Sequence, residues 1–272
     1  MRMLTSCMQC QIELGHPSFE PIMVDYYDDG LALMECSAGH KTALLVQSSK
    51  FEMLLESGAI ALLEGFTFEA CAGFSSALER FYEFAIRAIC HARGMLDENG
   101  NPSETFAKTF AGMSRQSERQ LGAFMLLHSM EFDEPFVPPS KLVEFRNNVI
   151  HKGEIPTLTD AQKFCAQVYA IITSMFAKLN AKYPGNVRSV IMQSLQERHK
   201  KVPAGMRIAT AAINHFFSTS TAVTETDFER ALGHLKMVRQ MTASSIPEMQ
   251  ALHDRLKQKN LTQQKSPASS TE

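Results

Sequence analysis

The chain has 272 residues, of which 44% are hydrophobic and 21% charged. This is the composition of an ordinary globular protein, with room for one large domain or two small ones. No apolar run approaches the roughly 18 residues of a membrane span, and residues 1–11 lack the apolar stretch of a signal peptide, so a membrane-spanning, Sec-secreted, collagenous or wholly disordered chain is not expected. The formal net charge of −2 is unevenly placed. Residues 1–140 carry 9 Lys and Arg against 19 Asp and Glu, whereas residues 141–272 carry 18 against 10. An acidic front and a basic back suit either a polyanion at the back or two sets of solvated faces that pair with each other.

Three of the six cysteines stand in the first 36 residues. Cys7-Met8-Gln9-Cys10 is a C-x2-C pair, and Cys36-Ser37-Ala38-Gly39-His40 is a C-x3-H pair. Zn²⁺ takes four soft or borderline ligands at tetrahedral corners, and two such knuckles supply two each. Gly39 permits the tight turn that brings Cys36 and His40 to one ion. Between the knuckles, residues 19–27 and 31–35 read as strands joined by an Asp28-Asp29-Gly30 hairpin turn, and residues 41–47 as a third strand. The expectation is a small β-rich zinc ribbon over residues 1–48, with ligands Cys7, Cys10, Cys36 and His40, and His16 as a rival for the fourth place. Four protein ligands leave no open position for a catalytic water, so the zinc is structural. Without a metal, the same residues are reduced thiols beside a surface histidine. A redox C-x-x-C is disfavoured because no βαβ pattern surrounds it. The reduced thiols, with the missing signal, place the chain in the cytoplasm.

From about residue 50 the apolar spacing becomes i, i+3, i+4, the mark of amphipathic helix. Residues 62–93 read as one long helix with a wide apolar stripe that takes in Phe66, Phe74, Phe81 and Phe84. Cys71, Cys90 and Cys165 lie among Ala, Phe and Ile and read as small core residues. A loop at residues 97–102 ends the stripe, and a second helix follows over 103–128. Pro135, Pro138 and Pro139 interrupt the chain. Ser140 then caps a helix to Lys152, which Gly153 and Pro156 close. Thr159-Asp160 open a long helix to Lys182. Further helices are expected over 187–200, 206–217 and 225–242, and a last one from Ile246-Pro247. The Gln-, Ser-, Thr- and Lys-rich residues 257–272 read as a disordered tail. The fold class is therefore mainly α: a ribbon at 1–48, a helical bundle at 50–183, a helical extension at 184–256 and the tail.

One stretch of this body carries chemistry. Phe145-Arg146-Asn147-Asn148-Val149-Ile150-His151 sets an arginine, an asparagine and a histidine within six residues near a helix end. At about 100° per residue, Asn147 and His151 share a face and Arg146 lies about 140° from His151, so only its long side chain reaches the same place. Val149 and Phe145 fall on a different face, suited to the core. A histidine moves protons near pH 7, and an arginine fork holds a phosphate and steadies charge that builds on it. Together they suit cleavage of RNA by its own 2′-hydroxyl, which needs no metal and leaves a 2′,3′-cyclic phosphate and a 5′-hydroxyl. One such pair is thin for a full acid–base cycle, and a second copy from a two-fold-related subunit completes it. Spacing alone also allows a plain solvated helix end.

The stretch resembles the R-x4-6-H motif of the HEPN superfamily (higher eukaryotes and prokaryotes nucleotide-binding), here as R-x4-H with asparagine directly after the arginine. The exit Lys152-Gly153-Glu154-Ile155-Pro156 is similar to the family's, and residues 76–86 resemble its early helix, which often carries an acidic residue near the site. The similarity covers roughly residues 55–183. It implies a helical bundle that dimerises through facing motif helices. In many members it also implies a metal-independent endoribonuclease of toxin–antitoxin, antiviral or RNA-processing systems. Arg146 then binds the scissile phosphate, His151 is the general acid or base, Asn147 positions, and Glu83 is a candidate to orient them. RNA, a second copy of the chain and an antitoxin or regulatory protein are the implied partners. Members that have lost catalysis serve as dimerisation or nucleotide-binding modules, which is the alternative function. The remaining histidines stand isolated in helices. The Arg198-His199-Lys200-Lys201 run suits either an RNA backbone or a solvated helix end. Walker A, dinucleotide-binding and G-x-S-x-G motifs are lacking.

Overall fold

The computed structural model describes residues 1–97, 100–212, 214–220 and 225–265 and is mainly helical. None of its described helices is long and apolar enough to cross a membrane. The chain divides into two compact units that are not contiguous in sequence. One comprises residues 1–46, 201–211 and 237–272, and the other residues 47–200 and 212–236.

The first unit is built on two small sheets. Strand β1 (Arg2–Thr5) pairs antiparallel with β2 (Ile22–Asp25). The short helix α1 (Met8–Leu14) lies between them in sequence and ends at Gly15, whose φ of 71° is left-handed. Strand β3 (Leu31–Glu35) pairs antiparallel with β4 (Lys41–Val46). The expected hairpin from residues 19–27 to 31–35 is therefore not formed, because β2 takes β1 as its partner. Residues 42–46 of β4 are buried without a break, as befits a central strand. Its second neighbour is β5 (Arg207–Ala211), paired in parallel from Thr42↔Arg207 to Val46↔Ala211. This overturns the helix expected over residues 206–217. Ile208 and Thr210 are β-branched, and the β4 edge offers backbone partners that a lone amphipathic turn does not; Ile213 of that expected helix lies outside the described residues.

The second unit closes its own core. Helix α2 (Lys50–Leu63) starts on a capping box, in which the Ser49 backbone N–H donates to Glu52 Oε2 at 2.6 Å. Helix α3 (Thr67–Ala92) follows after a break at Gly65, where φ is 80°. The single helix expected over residues 62–93 thus begins only after that break. The two backbones approach closely: a Cβ on Gly58 would meet Phe74 Cδ2 at 2.7 Å, and one on Gly73 would meet Gly58 Cα at 2.8 Å. Phe81 and Phe84 of α3 join an aromatic cluster with Phe51, Phe124, Phe176 and Phe217, and Phe74 packs on Phe216 and Phe228. Edge-to-face and tilted pairs of this kind add about 0.5–1.5 kcal/mol each beyond the area that they bury. The helix expected over 103–128 is two, α4 (Glu104–Met113) and α5 (Ser117–Phe132), with Ser114 as the cap between them. Helix α6 (Ser140–Lys152) has Pro139, not Ser140, at its N-cap, and closes on Gly153 with φ at 73°. Helices α7 (Leu158–Lys182) and α8 (Pro184–His199) complete the layer around α3.

The last helix, α9 (Phe228–Lys265), gives residues 228–236 to this unit and its later residues to the other. It runs through Pro247, where a new helix was expected. Proline removes one N–H, and the carbonyl left without it belongs to Ala243, an exposed residue that water can reach. The expected tail is helical as far as Lys265, and residues 266–272 lie outside the described residues. The expected extension over 184–256 is likewise not one piece, since 201–211 is a sheet segment of the first unit while 212–236 packs with the helices.

Candidate functional sites

In the first unit the two knuckles converge. Cys7 is the N-cap of α1, and its Sγ accepts the Cys10 N–H at 3.5 Å. Cys36 and His40 form the second turn, closed by Cys36 N–H to His40 O at 3.2 Å and Gly39 N–H to Cys36 O at 2.9 Å. The His40 N–H points to Cys36 Sγ at 3.4 Å. The ligand atoms then stand close: Cys10 Sγ to Cys36 Sγ 3.6 Å, and His40 Nδ1 to Cys7, Cys10 and Cys36 Sγ 3.7, 3.3 and 3.5 Å. A tetrahedral zinc with bonds of about 2.3 Å to sulfur and 2.0 Å to nitrogen sets ligand atoms about 3.8 Å (S to S) and about 3.5 Å (S to N) apart. The donor set therefore fits that ion. His16, the rival, instead sets Nδ1 2.8 Å from Pro17 O and is not in the cluster.

Burial, with the neighbouring Cys36 and Cys7 thiols, pushes the Cys10 thiol up to about 12. Three thiols crowded in this way resist ionising together until a cation compensates them. His40 Nε2 faces Glu13 Oε1 at 3.3 Å. A carboxylate behind a ligating histidine fixes the ring so that its other nitrogen faces the metal. Glu13 was not singled out from the sequence, although its place one turn beyond Cys10 on the same helix was a signal. Cys71, Cys90 and Cys165 are core residues, 1%, 6% and 0% exposed.

In the second unit, α6 presents the arginine and histidine. Val149 and Leu142 anchor it in the core, and the Phe145 ring packs on Phe164 at 5.0 Å between centroids. That leaves Arg146 and Asn147 half-buried and His151 exposed. Arg146 bridges the helical angle as its length permits, with Nη1 2.8 Å from His151 Nε2. The same Nη1 donates to Asn147 Oδ1 at 3.1 Å. In this arrangement Nε2 accepts, so the ring carries its proton on Nδ1.

The acidic partner of the arginine is Glu79, not Glu83. Arg146 Nη2 donates to Glu79 Oε1 at 2.6 Å. Glu83 lies one turn further along α3 and is held by Arg80 Nη1 at 2.9 Å and by Gln120 Nε2 at 2.9 Å. Burial raises the Glu83 carboxyl, and Arg80, Arg87 and Lys50 pull it back. Arg80 also stands 3.9 Å from Glu79 Oε2. The result is a chain of alternating charge from Glu83 through Arg80 and Glu79 to Arg146, which ends on the His151 ring. A pocket of about 210 Å³ adjoins it, lined by Glu79, Tyr82, Leu142, Arg146 and Asn147 among others.

Several histidines are structural. His91 lies between Asp97 O and Asn186 Nδ2, both at 2.8 Å, and His128 is buried against Phe124, Phe132 and Phe136. In the basic run at 198–201, Arg198 is 7% exposed, Lys200 pairs with Glu197 at 2.6 Å, and His199, Lys200 and Lys201 stand exposed. Comparison of the chain with protein-family models, curated proteins and solved structures yields no significant match.

Proposed function

We propose that the Arg146–His151 pair is the reacting centre of a metal-independent endoribonuclease of the HEPN type. The observation that carries this reading is the 2.8 Å contact of Arg146 Nη1 with His151 Nε2, backed by Glu79 on Nη2. In the reaction, His151 Nε2 takes the proton from the 2′-hydroxyl, and the 2′-oxygen attacks phosphorus. The bond from phosphorus to the 5′-oxygen breaks, and the leaving oxygen takes up a proton. Arg146 turns Nη1 from the ring to the phosphate as charge builds there, while Glu79 keeps the guanidinium in place. Asn147 Oδ1 is occupied by the arginine, which leaves its Nδ2 to donate to a phosphate oxygen. The second proton transfer falls to His151 of another copy, so the active species is a homodimer. Zinc, bound by Cys7, Cys10, Cys36 and His40, is structural in this proposal and takes no part in the chemistry.

The test is RNA cleavage by the purified chain in excess EDTA, beside His151→Ala, with the product ends identified. Cyclic phosphate ends from the unsubstituted chain alone support the reading, and full activity of His151→Ala overturns it. The integrity of the cysteine module is followed in parallel, because a chelator unfolds zinc-dependent structure. A second reading, a binding module without chemistry, draws on the same contacts. Glu79, Asn147 and His151 between them engage both terminal nitrogens of Arg146, as in a purely structural network. In that case no RNA yields a product while dimerisation or binding persists.

A further inference from the structure

A second cavity in the helical unit shares no lining residue with the pocket beside Arg146. It measures about 610 Å³, within the range of sites for small molecules. Val187, Ile191 and Leu195 of α8 give it an apolar wall, and Asn214 contributes a side-chain amide. Both atoms of that amide, Oδ1 and Nδ2, are buried and have no hydrogen-bond partner among the described residues. A buried amide with a donor and an acceptor both unmade is costly, and native proteins satisfy such groups with a ligand or ordered water. An asparagine amide offers, side by side, the donor and acceptor that match the edge of a nucleobase.

The same cavity reaches the start of α8. Pro184 and Gly185 line it, no side chain caps the helix, and its first turn has no acidic residue. The Gly185 and Asn186 N–H groups precede the first helical bond, from Val187 N–H to Tyr183 O at 3.0 Å. A Cβ built on Gly185 would meet nothing within 4 Å, so the approach is open. Arg188, one turn along, is exposed in the same lining and makes no ion pair among the described residues. Free amides at the positive end of a helix, with an arginine beside them, are the arrangement that binds phosphate.

The cavity also holds one carboxylate, that of Glu52, which is 2% exposed. Both of its oxygens are engaged, by Ser49 N–H at 2.6 Å and Thr219 N–H at 2.8 Å. It thereby ties the start of α2 to the segment that carries Asn214.

We infer that this cavity binds a nucleoside monophosphate unit, with the phosphate at the start of α8 and Arg188, the base edge on Asn214 and the base plane on the apolar wall. The unit is either a free mononucleotide or one nucleotide of an RNA strand. The site does not depend on whether Arg146 and His151 are catalytic. The test is isothermal titration of the full chain with the four ribonucleoside 5′-monophosphates, their nucleosides and a short single-stranded RNA. A monophosphate is expected to bind, with Asn214→Ala weakening it about tenfold, the cost of one good hydrogen-bonding partner. Arg188→Ala weakens the monophosphate to a similar degree and leaves the nucleoside unchanged. His151→Ala changes neither. Binding of the strand alone, with the same sensitivity to both variants, assigns the site to RNA. Asn214→Asp, with circular dichroism of every variant, separates lost binding from lost fold. Absence of binding by all monophosphates and by the strand at millimolar concentration, or binding indifferent to both substitutions, overturns the inference.

Discussion

The cysteine cluster and the arginine–histidine pair are held in place by different physics. The cluster belongs to a unit whose residues 1–46 form short strands and one helix of two turns. A module of this size has a limited core, to which a bound ion would add stability. The pair stands on a helix clamped to an aromatic core that closes without help, and its side chains lie at the margin of that core. In the first case a bound ion would build the fold. In the second the fold would carry the proposed chemistry. Substitution at the cluster is therefore expected to cost structure, and substitution at the pair to cost function.

The largest effect tests the cluster. Removal of metal, or Cys10→Ser, is expected to cost the first unit several kcal/mol, in line with the large folding contribution of structural zinc. Hydrogen exchange would then show residues 1–46 losing protection while α3 and α7 keep theirs. Equal loss in both units, or none in either, breaks the contrast. Metal analysis of the purified chain should find one zinc per chain.

Next in size is His151→Ala. Loss of a proton-transferring group costs about 100-fold or more in rate. Because the residue is exposed, stability should change by no more than about 0.5 kcal/mol. Thermal unfolding beside single-turnover cleavage checks both halves of the statement.

A third prediction concerns acid. Glu131 has a buried side chain and is held by Arg93 at 2.7 Å, by Tyr183 and by Lys182. These partners, Arg93 foremost, bring its carboxyl down to about 2 from an ordinary value of 4.5. A depressed pKa gives stability that is full above the ordinary value and is lost as pH falls towards the folded one. The helical unit should therefore weaken between about pH 4.5 and 2. Since Arg93 and Lys182 are half in solvent, the loss is about 1–2 kcal/mol. Glu131→Gln should flatten that part of the acid titration.

The smallest effect sharpens the proposed catalytic site itself. Glu79→Gln should lower cleavage about tenfold and stability by about 1 kcal/mol or less, as expected of an ion pair that solvent still reaches. Glu83→Gln should leave cleavage unchanged, because Glu83 serves Arg80 and Gln120. The reverse order would return the positioning role to Glu83.

The candidate metal ligands were legible because each knuckle is local. A C-x2-C on one helix start and a C-x3-H across one glycine turn fix their geometry within five residues, and only the meeting of the two turns depends on the fold. The reach of Arg146 to His151 was legible for the same reason, since helical angles and side-chain length determine it. Glu79 was not. It lies 67 residues from Arg146, and Glu79 and Glu83 differ by one turn of the same helix. Which of the two meets the arginine depends on how α6 is placed against α3.

Apolar periodicity, glycine and proline thus determined that this chain is mainly helical after residue 50, that Gly153 ends the motif helix, and that four residues near the start suit a metal. Those features follow from local sterics and spacing, which act within a few residues. The tertiary structure decided that Arg207–Ala211 is a strand, that β2 pairs with β1 and that α9 passes through Pro247. It also decided that Glu79 holds Arg146. Each of these turns on a partner far away in sequence, and a strand edge, a solvated carbonyl or a counter-ion exists only once the chain has folded.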